Sequence, residues 1–167
     1  MADTKTLFLV RHAKSSWDDA NIEDIERPLN KRGKADAPRM GKHLAGYEAR
    51  PEVIISSPAV RAYKTAREIA AELGFKKSEV KIDEDLYSFD SSDIIEVIRG
   101  FDDVYQTIML VGHNPAITRL VNELSGSSID NVPTCGVALL RFNVKKWSGI
   151  KKGTGELLNF DYPKKLW

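Results

Sequence analysis

Short apolar runs alternate along this chain with longer stretches of helical periodicity, and the alternation predicts an α/β layered fold. Thr6 to Val10, Val53 to Ile55 and Ile108 to Val111 are apolar throughout, as expected of strands covered on both faces. Helices are expected over Lys34 to Tyr47, Pro58 to Leu73, Ser91 to Arg99 and Pro115 to Leu124. In the second of these, Ala62, Ala66, Ile69, Ala70 and Leu73 fall on one face at helical spacing. Pro38 lies early in the first, so the pattern defines that helix's start less well than the others. Val137 to Phe142 and Glu156 to Phe160 read as two more strands, an antiparallel pair near one edge. No linker, low-complexity tract or internal repeat interrupts the pattern, so residues 1–167 read as a single domain.

Two strand-to-helix junctions share a grammar. Val53-Ile54-Ile55 leads into Ser56-Ser57-Pro58, and Leu110-Val111 leads into Gly112-His113-Asn114-Pro115. Ser57 and Asn114 suit the N-cap position, and each following proline suits the first helical position. Two helix amino termini are thereby expected at the ends of two buried strands. Open α/β sheets bind ligands beyond the carboxyl ends of their strands, and helix amino termini there favour anions.

Composition narrows the partners. The 167 residues carry 25 Lys+Arg and 24 Asp+Glu, a net charge of +1. Such a balance argues against partners captured by bulk positive charge, so neither nucleic acid nor an anionic membrane is expected. No segment approaches the roughly 20 apolar residues of a membrane span. Leu7-Phe8-Leu9-Val10 runs too soon into Arg11-His12 to serve as a signal-peptide core, and a cytoplasmic location is expected. The single cysteine, Cys135, excludes an internal disulfide or a cysteine metal cluster.

Histidine chemistry has only three candidate authors, His12, His43 and His113. If the strands run parallel, Arg11 and His12 emerge at the same edge as His113 and Arg61, the latter one turn into the second helix. Guanidinium forks match phosphate oxygens, and their charge does not titrate in the working range. A neutral imidazole can attack phosphorus and form a phosphoenzyme that water cleaves. Neighbouring arginines disfavour the imidazolium and keep the nucleophile available. His12 is therefore the expected nucleophile, Arg11 and Arg61 the phosphoryl clamps, and His113 a donor to the transition state. Any of these residues alone is more often structural; their convergence on one edge is what points to phosphate.

Arg11-His12-Ala13, Ser56-Ser57-Pro58-Ala59-Val60-Arg61-Ala62 and Gly112-His113 resemble the ordered motifs of the histidine phosphatase (phosphoglycerate mutase-like) superfamily. Ala13 stands where that family usually has glycine. With Lys14-Ser15-Ser16-Trp17-Asp18, Arg27-Pro28-Leu29-Asn30-Lys31-Arg32-Gly33, Gly112-His113-Asn114-Pro115 and Pro133-Thr134, the chain resembles the SixA-type phosphohistidine phosphatases from about Leu7 to Trp147. The resemblance implies a three-layer α/β/α sandwich, a mostly parallel central sheet with helices on both faces. It implies phosphorylation of His12 during turnover, a phosphate pocket of Arg11, Arg61 and His113 with Asn114 beside it, and neither metal nor organic cofactor. Glu84, three residues before Tyr87, is the counterpart of the family's general acid, with Asp85 next to it. Asp18 stands where many relatives have an asparagine near the phosphate; as a carboxylate it would orient an arginine or lie outside the pocket.

The other conspicuous residues read as structural. His43 is expected at the surface, Trp17 and Tyr63 as packing or pocket walls, and Cys135 as an inert buried thiol. Lys145-Lys146-Trp147 through Lys151-Lys152 to Lys164-Lys165 reads as a solvated cationic tail able to meet an acidic protein. The function expected is a metal-independent phosphatase acting on phosphohistidine in a protein. The alternatives are a phosphatase or mutase for small phosphate esters, with Glu84 as a true acid, and a non-catalytic phosphate-binding module.

Overall fold

A computed structural model describes residues 3–167. Six strands form one mixed sheet in the order β3-β2-β4-β1-β5-β6. They are β1 (Lys5–Arg11), β2 (Val53–Ser56), β3 (Lys81–Ile82), β4 (Thr107–Gly112), β5 (Val137–Phe142) and β6 (Glu156–Asp161). The helices are α1 (Lys31–Leu44), α2 (Val60–Glu72), α3 (Ser91–Arg99), α4 (Ala116–Ser125) and the short α5 (Pro163–Leu166). β3, β2, β4 and β1 are parallel neighbours, whereas β5 is antiparallel to both β1 and β6.

Period-two alternation explains the layers. In β1, Phe8 and Val10 face one core with Met40 and Ala37 of α1 and Ile69 and Ala66 of α2. Leu7 and Leu9 face the other with Ile94 and Ile98 of α3 and Leu120 and Val121 of α4. β4 repeats the division, Met109 and Val111 against Ile108 and Leu110. Fully burying such a side chain contributes about 1.5–3 kcal/mol, and a one-residue slip in either strand would exchange the two cores.

Several boundaries differ from expectation. α1 begins at Lys31, three residues early, because the Asn30 side chain accepts the Gly33 N–H at 2.9 Å. Pro38 consequently sits in mid-helix. α2 begins at Val60 and α4 at Ala116, so Pro58 and Pro115 precede their helices. Ser57 and Asn114 still act as caps in chemical terms, accepting the N–H groups of Ala59 (3.2 Å) and Thr118 (3.1 Å). β3 escaped the pattern because its two residues are both exposed.

The cationic tail is not a tail. Trp147 is wholly buried, its indole N–H bonded to the Tyr105 carbonyl at 2.9 Å, and β6 closes the sheet beyond it. His43 is also more engaged than expected: its Nε2 lies 2.9 Å from Asp161, which Tyr47 and Lys165 share. Among the described residues no helix is long and apolar enough to cross a membrane.

Candidate active site

Strand register brings the two site histidines together. Arg11 pairs with Gly112 across the parallel β1–β4 ladder, so the next residues, His12 and His113, leave the sheet side by side. The His12 N–H bonds the Gly112 carbonyl at 3.1 Å, and the two rings lie 5.2 Å apart. β2 ends one register step away, and the Ser57 hydroxyl reaches His113 Nε2 at 2.8 Å.

His12 is held in one orientation. Its Nδ1 lies 2.7 Å from the Ala13 carbonyl oxygen. A carbonyl only accepts, so Nδ1 carries the ring proton and Nε2 keeps its lone pair. That lone pair accepts a long bond from Arg61 Nε at 3.4 Å. Below the ring, the Ala13 N–H donates to Thr65 Oγ1 (3.0 Å), whose hydroxyl donates to the Arg61 carbonyl (2.7 Å). The backbone behind is braced by Cys135, whose N–H meets the carbonyls of Arg11 and His12 at 3.1 and 3.0 Å. Cys135 holds φ at 61°, uncommon for a residue with a side chain. Its thiol is buried, and burial pushes its pKa up, as an inert thiol should show.

Burial is the largest influence on His12, lowering its pKa to about 4; the Ala13 bond opposes it, and Arg61, Arg11 and Arg27 reinforce it. The expected lowering by neighbouring arginines is present, and desolvation, which sequence reasoning did not name, leads it. His113, 1% exposed and flanked by the rings of Tyr87 and Phe89, is lowered to about 3 by burial first, then by His12 and Arg61. Both rings are neutral at physiological pH.

Two buried side-chain nitrogens in the site have no hydrogen-bond partner among the described residues, Arg11 Nε and His113 Nδ1. Both residues line a cleft of about 270 Å³ that also receives Arg61, Arg27 and Thr134. Arg61 is only 2% exposed, and its charge is met by a residue the sequence reading passed over. Asp24, in a 3-10 turn (Asp24–Glu26), accepts Arg61 Nη2 at 3.0 Å, Arg27 Nε at 3.1 Å and the Tyr87 hydroxyl at 2.7 Å; its backbone carbonyl takes Arg61 Nη1 at 2.7 Å. Partial burial raises its pKa, but these hydrogen bonds prevail and hold it at about 2. Arg27 was named only within a motif, yet it lines the cleft, donates to Ser15 Oγ at 2.7 Å and lies under the exposed Trp17 ring at 3.5 Å. Its spacing of three residues from Asp24 was the available signal.

Two expected roles change, and Asp18 takes one of the two places foreseen for it. Asp18 lies outside the cleft, exposed. Glu84 is exposed and lines a separate cavity with Asp85, Asp93 and Glu96; Asp24 is the one carboxylate of the cleft among the described residues. Asn114 touches the cleft, but both its amide hydrogens are spent on Asn131 Oδ1 (2.9 Å) and the Val132 carbonyl (3.1 Å), leaving none for phosphate. Trp17 is a rim residue, while Tyr63 packs against the core and does not line the cleft.

The chain matches the family model described as histidine phosphatase superfamily (branch 1) over residues 7–94. An uncharacterized chloroplastic protein of Arabidopsis thaliana is 35% identical over 152 residues, 86% of this chain and 69% of that protein. An uncharacterized protein of Mycobacterium tuberculosis is 30% identical over 165 residues, 93% of this chain and 100% of the relative. Among solved structures, a protein from Agrobacterium tumefaciens assigned as phosphohistidine phosphatase SixA superposes with a TM-score of 0.80 at 26% identity, covering 95% of this chain and 98% of its own. The protein histidine phosphatase SixA complexed with tungstate shares the fold at a TM-score of 0.81 and 22% identity, covering 97% of this chain and 99% of its own.

Proposed function

The chain belongs to the histidine phosphatase superfamily, and from that premise we propose that it removes phosphate from phosphohistidine in a protein, through a covalent intermediate on His12. One observation carries the reading: the Ala13 carbonyl fixes the His12 proton on Nδ1, leaving an unprotonated Nε2 at a cleft built of guanidinium groups.

In the first step the Nε2 lone pair attacks phosphorus and the substrate's P–N bond breaks. The substrate imidazole departs neutral once its other nitrogen has taken up a proton from solvent, the same proton that the second step returns. Arg11, Arg61 and Arg27 take the phosphoryl oxygens; Arg61 has two N–H groups left after its bonds to Asp24 and His12. Ser57 Oγ accepts the Ala59 N–H and lies 2.8 Å from His113 Nε2, and in this mechanism its own proton is given to that nitrogen. The His113 proton then sits on Nδ1, the buried unpartnered atom, where a phosphoryl oxygen would accept it. In the second step water attacks the phosphorus of phospho-His12, gives a proton to solvent and releases inorganic phosphate. His12 leaves as neutral imidazole with Nδ1–H still on Ala13.

Neither step asks for a carboxylic acid, which fits a cleft whose Asp24 is held ionised. An ester substrate would leave as an alkoxide and gain from such a donor, and Glu84 lies in a different cavity. The balanced surface charge and the exposed Trp17 rim support a substrate presented by another protein.

Phosphate release from a phosphohistidine-bearing protein is the test. Wild type should release it, and His12→Ala should lower the rate by at least about a thousandfold, as expected for loss of a nucleophile. Retained release in the variant overturns the mechanism. Wild-type hydrolysis of esters alone overturns the substrate class.

A further inference from the structure

The cleft is flanked by two cavities of opposite charge. One, of about 780 Å³, lies between the Lys14–Asp18 loop and the start of α1; its charged lining is Lys14, Lys31 and Arg32 against the single carboxylate Asp18, with Arg32 also paired to the buried Asp36 behind it at 3.4 Å. The other, of about 520 Å³, is lined by Glu84, Asp85, Asp93 and Glu96 with no cation. The basic groove belongs to the α1 side of the sheet and the acidic cavity to the α3 side, so the charge reverses across the catalytic edge. The amino terminus of α1, beginning at Lys31, adds positive potential to the basic side.

The groove is built rigidly. Lys14 O accepts the Asn30 N–H at 2.9 Å, the Ser16 N–H meets the Pro28 carbonyl at 2.8 Å, and Ser15 bridges Leu29 as a short antiparallel pair. Gly33 lets the loop lie this close, since a Cβ there would stand 2.1 Å from Lys14 O. Trp17 rises from the loop 73% exposed, pinned by the Arg27 guanidinium, which is itself fixed by Asp24 and Ser15. An exposed, immobilised tryptophan beside cations is the anchor type found at interface hot spots. Trp17, Lys14 and Ser15 line both groove and cleft, so a chain seated in the groove leads directly to His12.

Resting on the functional reading above, we propose that the Lys14–Arg32 groove docks an acidic segment of the phosphoprotein substrate adjacent to its phosphohistidine. The acidic cavity repels that segment from the other side and so sets the direction in which the substrate lies. Long-range attraction and register are what such complementarity provides.

The test compares free phosphohistidine with two phosphohistidine peptides, one flanked by glutamates and one by lysines. Wild type should favour the glutamate peptide by about tenfold in kcat/KM, through KM, with the preference fading at high salt. The double variant Lys31→Glu/Arg32→Gln should lose the preference while hydrolysing free phosphohistidine at the wild-type rate. Equal use of both peptides by wild type, or an unchanged preference in the variant, overturns the groove. Anisotropy of a labelled, unphosphorylated glutamate peptide reads the same site without any chemistry: binding weakened by the double variant supports it, and no binding overturns it. If the peptide binds and no phosphohistidine is cleaved, the functional reading fails and the groove stands.

Discussion

β1 carries a buried or half-buried cation at each end, and the two ends are treated differently. At its start, Lys5 is 0% exposed, with Nζ bonded to the carbonyls of Asp103 and Tyr105, both at 2.9 Å, and lying 5.6 Å from the centre of the Trp147 ring. At its finish, Arg11 reaches the Val132 carbonyl at 3.0 Å but keeps a buried Nε with no partner among the described residues, and His113 Nδ1, on a residue lining the same cleft, is in the same condition. Burying a polar donor without a partner costs about 1–3 kcal/mol. A fold that satisfies such groups at one end of a strand and leaves them open at the other marks the open end for a ligand. Buried charge alone does not identify a site, nor does a single unmet donor, since Arg67 Nε on α2 also lacks a partner among the described residues; two such nitrogens on residues that line one cleft do.

Asp24→Asn should break this contrast most strongly at the catalytic end. It keeps the shape but removes the charge that holds Arg61, Arg27 and Tyr87. Loosening two phosphoryl clamps should lower kcat/KM by about a hundredfold; a rate within twofold of wild type would show that the arginines position themselves. Lys5→Met should do the reverse, taking the donor from the Asp103 carbonyl and leaving the Tyr105 carbonyl only the Trp147 indole N–H. It should destabilise by about 2–4 kcal/mol in denaturant titrations while the folded variant keeps its kcat. A loss of kcat at full occupancy of the folded state would join the two ends functionally.

The smallest effect sharpens the comparison. His12 and His113, lowered to about 4 and about 3, should show no titration near the usual 6.5 when followed by NMR in the free protein. Unfolded histidines take up protons below about 6.5, whereas these wait until about 4 and 3. The unfolded state therefore binds more protons in that window, and stability should fall as pH drops from about 6.5 toward 4. A His12 midpoint near 6.5 would mean that water hydrates the ring.

The backbone scaffold was legible because each central strand is apolar on both faces, which leaves little choice of register. His12 and His113 were legible for a related reason: each directly follows such a strand. Asp24 was not, because its 3-10 turn reaches Arg61 across 37 positions of sequence, and no local pattern announces that fold-back. Asn114 was misjudged in the opposite sense. Its amide is a good phosphate donor in isolation, but the Val132 loop arrives to consume it. Glu84 followed family resemblance, which supplies a residue type near a position but not the wall on which its side chain lies. Trp147 looked like part of a tail because the lysines around it are the solvated side of a buried anchor.

Cys135 offers an experimental handle that its inertness conceals. It is the only thiol in the chain, it is sealed, and its amide is the brace under Arg11 and His12. An alkylating reagent can reach it only when that turn lifts away from the sheet. The rate of labelling therefore counts spontaneous openings of the catalytic floor, and any ligand that settles on the phosphate donors should slow the clock by the free energy of its own binding.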